Sequence, residues 1–402
     1  MNVSGTIILS IVSLLERLSY YGSRAILVLF ALDSEGLNLE QDQYFEYYAT
    51  FSALIIIVPI LTGLIVDKHL GQKRAVYLGG IISLIGYCLL TTQHSIITIA
   101  SVFFILIGTS LVKPSTTILI GRQFLKEDRN RTLAYILFFF GINLGALIGI
   151  AGIGYIGEVY SWTYGFVIAA ASTLLYVLIF KFTEDKIKEI ETNNIPISNF
   201  RLNLNFTLLL IPFLVLLNVV YRQSYDTEHI DLIVHLSDSA DRKIFNFEIM
   251  NSLLSGITSF WFFPLTIGLF VYWKLVGVSE FLKSVVISLI VLIVAILGSQ
   301  LIKNIESNQI LEYSLLVFAL YAIVEVLMSS FIVSYLTRII DTSYSNTIYS
   351  CYYLLVYMVR VGFSYIIITE YQTEQIVTIL ILSLLLLIGF RKQIGKLTKG
   401  IN

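Results

Sequence analysis

Apolar residues run through this chain in long blocks separated by short polar stretches. An α-helix needs about 20 such residues to cross the hydrocarbon of a bilayer. Twelve blocks reach that length, near residues 5–32, 44–66, 74–93, 96–121, 132–157, 161–182, 204–223, 247–273, 278–302, 309–337, 344–369 and 373–390. The pattern predicts an all-α membrane protein of twelve transmembrane helices. The polar stretch Thr183–Asn203 divides six spans from six. It predicts one bundle over 1–182, a linker over 183–203, a second bundle over 204–391 and a tail over 392–402. The linker is too short to hold an additional pair of membrane helices.

Composition agrees. The chain is 57% hydrophobic and 13% charged, whereas a soluble domain carries about a quarter charged residues. Cys88 and Cys351 lie inside hydrophobic runs and give no disulfide or metal pattern. The first apolar block is long enough to span, and it lacks the short core and small-residue cleavage site of a removable signal peptide.

Where the charges fall sets orientation. Lys68, Lys73, Arg74, Arg122, Lys126, Arg129, Arg131, Lys181, Arg338 and the basic tail share one side of the predicted topology. The other side collects Asp33, Glu35, Glu40, Asp42, Asp226, Glu228, Asp231, Asp238 and Asp241. Loops rich in Lys and Arg stay in the cytoplasm, so both termini are expected there, with the chain in the cell (inner) membrane.

Charges inside the spans are the candidate chemistry, because ionisable groups are costly in hydrocarbon and persist where they face a bundle interior or an aqueous path. The first span carries Glu16-Arg17-Leu18-Ser19-Tyr20-Tyr21-Gly22-Ser23-Arg24. Ser13, Arg17, Tyr20, Tyr21 and Arg24 recur at three and four residues and form one stripe. Lys113 precedes Pro114 in the fourth span. It is either paired structurally with Glu16 or Glu325, or it serves binding or coupling. Glu325 stands isolated in the tenth span, where it neutralises Lys113 or an arginine, carries protons, or does both in turn. Arg222 and Asp226 are spaced for a helical ion pair, and Arg360 is a candidate static partner for Glu325. Charges on helices one, four, seven and ten recur by three, as expected if three-helix units repeat around a shared cavity.

Other signals are local. Gly63 to Arg74 closes a tight turn containing Asp67, Lys73 and Arg74, read either as a basic topology signal or as a gating latch. Gly141, Gly145 and Gly149 recur every four residues, a pattern for close helix packing. Asn143 between them needs hydrogen-bond partners from another helix or a ligand. His229 and His235 among acids read as a solvated outer loop without ligand spacing for a metal.

In these residues the chain resembles the proton-dependent oligopeptide transporters, a branch of the major facilitator superfamily. The stretch Ser13-x-x-Glu16-Arg17-Leu18-x-Tyr20-Tyr21-Gly22-x-Arg24 is similar to that family's E-x-x-E-R-F-x-Y-Y-G-x-R. Gly63–Arg74, Lys113-Pro114 with Gln123-Phe124, Phe138–Leu147, and Glu325 with Ser329 resemble its later motifs in order. The resemblance implies two six-helix bundles, alternating access, and symport of di- and tripeptides with protons. It implies that Arg24 and Lys113 hold the peptide carboxylate and that Glu325 receives the amino group. Tyr20, Tyr21, Asn143, Gln223, Asn251 and Ser329 complete the substrate set. Glu16, Arg17 and Glu325 carry proton coupling, and Asp67, Lys73 and Arg74 serve gating.

The departures from the family pattern are Ser13 for its first glutamate, Phe139 for its tyrosine, Ser330 for its proline, and Arg222 for an acid before Gln223. The five intramembrane cations, Arg17, Arg24, Lys113, Arg222 and Arg360, therefore outnumber the acids Glu16 and Glu325. Two alternatives follow: a relative moving another small anion (an organic acid or a nitrate-like ion), or a transport-inactive substrate sensor. No nucleotide loop, nucleophile with a base, or metal set points to an enzyme. The expected partners are a small peptide, protons and the lipid bilayer, with no nucleic acid. The chain is expected to act as a monomer without cofactors, driven by the proton gradient.

Overall fold

The computed structural model describes residues 3–189 apart from 35, 126, 127 and 129, then 197–238, 243–244, 247–248, 257–278, 281–303, 310–366, 377–381 and 383. Eleven long helices follow in chain order, a count made over the described residues. They are α1 (Val3–Leu32), α2 (Gln41–Leu70), α3 (Gln72–Leu90), α4 (Ser95–Arg122), α5 (Asn130–Val159) and α6 (Trp162–Lys186). Then come α7 (Ile197–Asp238), α8 (Ile257–Val276), α9 (Phe281–Lys303), α10 (Ile310–Ile339) and α11 (Ser345–Ile366). Eight of these described helices are long and apolar enough to cross a bilayer. The twelfth expected span, 373–390, and the tail lie largely outside the described residues, although 377–381 are helical. A two-residue antiparallel pair, β1 (Lys243–Ile244) with β2 (Phe247–Glu248), is the strand content among the described residues.

Three boundaries differ clearly from expectation: α7 begins at Ile197, inside the stretch expected as a linker, residues 247–248 form a strand where the eighth span was expected to begin, and α7 continues past Gln223. The stretch after Gln223 is helical to Asp238 rather than an outer loop. Tyr225, Glu228, Leu232 and Leu236 recur at helical spacing and all are buried, so the helix keeps an inward face beyond its apolar run. Among the described residues no spanning pair lies between α6 and α7, as the linker length required.

The chain divides into two compact units, Met1–Asn193 with Thr337–Leu354, and Asn194–Leu336 with Leu355–Asn402. The first unit thus holds α1 to α6 together with the end of α10 and the opening turns of α11. Its α1–α5 seam is built on glycine. A Cβ at Gly141, Gly145 or Gly149 would come within 2.7, 2.1 and 2.3 Å of the carbonyl oxygens of Ser10, Leu14 and Leu18. Two helix backbones therefore run in contact over two turns, the arrangement the small-residue repeat permits. Ile26, Phe30, Tyr87, Leu90, Ile105 and Phe166 close the apolar core beside this seam. In the second unit, Phe262, Ala322 and Val326 pack α8 against α10.

Candidate functional site

The polar seam of α1 faces inward. Glu16 and Arg17 are both about 5% exposed, and the Arg17 Nη2 donates to Glu16 Oε1 at 2.6 Å, with Nε donating to the other oxygen. Sequence neighbours point about 100° apart on a helix, so the pair forms because both long side chains turn into the same buried seam. Glu16 is thus taken by its neighbour, which removes it as the expected partner of Lys113. The Arg17 guanidinium also lies over the rings of Tyr20 and Tyr21, at 5.0 and 5.7 Å.

One turn further along α1, Arg24 donates to the Tyr48 hydroxyl of α2 at 2.9 Å. Tyr48 was not singled out by sequence, and the aromatic run Tyr44-Phe45-Glu46-Tyr47-Tyr48 was the available signal. Lys113 is exposed at mid-helix, with its ammonium 5.8 Å from the Tyr353 ring. In the first unit, Glu16, Arg17, Tyr20, Tyr21 and Arg24 form one cationic, tyrosine-lined stretch of α1, and Lys113 stands on α4. Asn143 donates to the Phe139 carbonyl of its own helix at 3.0 Å, so its amide donor is held one turn back.

The second unit holds the acid. Glu325 accepts from the Tyr225 hydroxyl at 3.3 Å. Ser329 follows Glu325 by one helical turn, and Gln223 is half-buried on α7. Asn251 lies outside the described residues. Asp226 is not held by Arg222, its neighbour four residues back. It takes Arg360 of α11 instead, Nη2 to Oδ2 at 2.6 Å. His229 is packed rather than solvated, stacked on Tyr225 and edge-on to Phe318 and Tyr321.

The turn after α2 has its own chemistry. A π-helical turn, Val66–Leu70, carries Asp67, and Gly71 ends it at φ 72°, a left-handed conformation suited to glycine. Asp67 Oδ1 accepts from the backbone and side-chain amides of Asn346, at 3.1 and 2.8 Å. Its Oδ2 accepts from the backbone amide and hydroxyl of Thr347, at 2.8 and 2.7 Å. These are first-turn donors of α11, the end of a helix that attracts anions. Gly63 makes the approach possible, since a Cβ there would sit 3.0 Å from the Thr347 nitrogen. Lys73 reaches the Glu184 carbonyl at 3.4 Å, whereas Arg74 is exposed.

Arg122, read from sequence only as a topology signal, is a second hub at this end. It donates to Gln72 at 2.8 Å, Glu189 at 3.1 Å and Asp341 at 3.2 Å. Arg131 and Tyr135 both donate to Thr337, at 3.1 and 2.7 Å.

Known proteins share parts of this chain. A di-/tripeptide transporter of Lactococcus lactis subsp. lactis (strain IL1403) is 35% identical over 161 residues, 39% of this chain and 32% of that protein. The peptide transporter YePEPT of Yersinia enterocolitica subsp. palearctica serotype O:3 (strain YE-P4) is 30% identical over 173 residues, 41% of this chain and 34% of that protein. The matched stretch thus spans about a third of those relatives' length. Among solved structures, a POT family transporter in complex with 5-aminolevulinic acid superposes with a TM-score of 0.59 at 16% identity, over 97% of this chain and 96% of that one. A bacterial homologue of the human drug peptide transporters PepT1 and PepT2 gives 0.59 at 14% identity, over 99% and 100%. These likenesses establish the twelve-helix fold. The Major Facilitator Superfamily profile matches residues 9–390, and the chain belongs to that superfamily.

Proposed function

We propose that the protein is a secondary active transporter that moves di- and tripeptides together with protons by alternating access. The observation that carries this reading is the separation of charge by unit. Arg24 and Lys113, with tyrosines around them, stand in the first unit, and Glu325 stands in the second. A zwitterion needs both poles, and charge-assisted hydrogen bonds in a low-dielectric cleft give such recognition its strength. The identities to named peptide transporters over about two fifths of the chain support the same substrate class.

In this reading Arg24 and Lys113 bind the peptide carboxylate and Glu325 binds the ammonium. Tyr20, Tyr21, Asn143, Gln223, Asn251 and Ser329 meet the peptide backbone and side chains. Glu16, Arg17 and Glu325 handle the proton, and the proton gradient supplies the energy without a cofactor. Asp67, Lys73 and Arg74 belong to a latch on the cytoplasmic side that must release when that side opens. The protein sits in the cell membrane with both termini cytoplasmic and works as a monomer.

The pairings found for Arg17 and Arg360 weaken the case for an anionic substrate. Each has a carboxylate of its own, and since Asp226 was not among the acids counted in the spans, its pairing with Arg360 lowers by one the excess of positive charge that favoured an organic acid or nitrate-like ion. Dipeptide uptake into proteoliposomes, with and without an imposed pH gradient, tests the proposal. Uptake accelerated by an acidic exterior is expected. Equal rates rule out symport, and binding without accumulation points to a sensor.

A further inference from the structure

Arg17 and Arg24 stand on the same helix and are held in different ways. Arg17 is bound to the carboxylate of Glu16. Arg24 has no carboxylate among the described residues, and its hydrogen-bond partner is a phenol, the Tyr48 hydroxyl of α2 at 2.9 Å. The guanidinium carbon also lies 5.9 Å from the centre of the Tyr48 ring. That ring leans in turn on Tyr44, one helical turn earlier, with centroids 5.9 Å apart. Tyr48 is therefore seated by its ring and meets Arg24 through its oxygen. A phenol carries one proton and two lone pairs, and a guanidinium only donates. In this bond Tyr48 must accept, so its own proton is left to give, and no acceptor takes it among the described residues. Only Nη2 of the guanidinium is engaged there, which leaves further N–H groups beside the phenol. Arg24 lies eight residues before α1 ends, about 12 Å along the axis. A cation at that depth persists where its face meets water, and Tyr48 beside it is 40% exposed.

We infer that Tyr48 is a specificity-determining residue of the cationic pole: it holds Arg24 against α2 and gives its own proton to the carboxylate that Arg24 binds. The inference rests on the reading in which Arg24 receives the peptide carboxylate. A guanidinium by itself attracts any small anion. A charged N–H and a neutral O–H side by side present two donors to the two oxygens of one carboxylate, which adds direction to charge. The chemistry of the holding group matters as much as its place. An acid at this position would neutralise Arg24 and close the pole to anions. An apolar residue would leave the long side chain to wander. A phenol fixes the arginine and leaves its charge for the substrate.

Competition binding to the full-length protein in detergent at neutral pH, with dialanine and with dialanine amide, tests it. Tyr48→Phe removes the hydroxyl and keeps the ring that packs on Tyr44 and faces Arg24. It is expected to weaken dialanine binding about tenfold, as loss of a hydrogen bond to a charged group does, and to leave dialanine amide unaffected. Tyr48→Glu is expected to abolish the preference for the free acid, because the new carboxylate takes Arg24 for itself. In an Arg24→Ala background, Tyr48→Phe should add less than about twofold, since the phenol serves a carboxylate that Arg24 has seated. Wild-type dialanine affinity in Tyr48→Phe overturns the inference, as does a double variant whose losses multiply. Equal weakening of both ligands marks a structural role and overturns it too. If Arg24→Ala loses the free-acid preference while Tyr48→Phe keeps it, the proposed pole stands and only the role of Tyr48 falls. Should the wild type fail to distinguish the two ligands, the carboxylate role of Arg24 falls, and that of Tyr48 with it.

Discussion

The carboxylate of Asp67 caps α11 from another helix, binding the backbone and side-chain amides of Asn346 at 3.1 and 2.8 Å. The same Asn346 accepts from the Ser115 hydroxyl at 3.2 Å through its side-chain oxygen, so its amide is satisfied at both ends. An N-cap normally comes from the residue just before the helix. Here it comes from a π-turn far earlier in the chain.

Asp67→Ala removes the acceptor for four donors in the first turn of α11. A loss of about 2–3 kcal/mol is expected, because these bonds to a carboxylate are charge-assisted and partly buried. Thermal denaturation in detergent reads it as a lowered Tm. Gly63→Leu, which keeps Asp67 but blocks the approach of Thr347, should lower Tm in the same direction. If Gly63→Leu is neutral, close approach at Gly63 is not what seats the cap.

Glu16→Gln leaves the buried Arg17 guanidinium without its carboxylate. Breaking one side of a buried pair costs about 3–5 kcal/mol, far more than loss of an exposed pair. Purified protein should show a clear drop in thermal stability. Under the proposed function it should also lose proton-driven uptake more than it loses peptide binding. A variant with wild-type stability would mean the seam around Arg17 is wet.

Gly145→Val places two γ-carbons where even a Cβ lies 2.1 Å from the Leu14 carbonyl oxygen. The α1–α5 seam then has to open, and little monodisperse protein should survive gel filtration. Gly152→Ala on the same helix is the control, since nothing lies within 4 Å of its added carbon. It should behave as wild type, or better by a few tenths of a kcal/mol through helix propensity.

Arg24→Ala and Lys113→Ala address the cationic pole. Wild-type protein should prefer a free-acid dipeptide over its C-terminal amide, and each substitution should cut that preference about tenfold or more, as loss of a charge-assisted contact does. Competition binding with the two ligands measures it. If both variants still discriminate fully, the carboxylate is held elsewhere.

Much of this molecule was legible in one dimension. Spans follow from the length of apolar blocks, since a bilayer sets that length whatever the neighbours are. Glu16, Arg17, Arg24, Lys113 and Glu325 stood out because charge in such blocks is rare and costly. The glycine repeat of α5 announced a close contact before its partner was known. Reading the stretch around His229 as a loop failed for a definite reason. Its apolar residues are too few to span, yet their spacing keeps one helical face buried against α10.

Partnership is what the sequence left open. Spacing assigned Asp226 to Arg222, but Arg360, 134 residues further on, holds it. Nothing local marked Asn346 and Thr347 as the ligands of Asp67, or Tyr48 as the neighbour of Arg24. The chain by itself determined where charge and polar groups had to be buried, because desolvation acts on each residue alone. Only the packed helices decided which charge answers which, because an ion pair depends on separation in space, and that is set by tertiary contacts between segments remote in sequence.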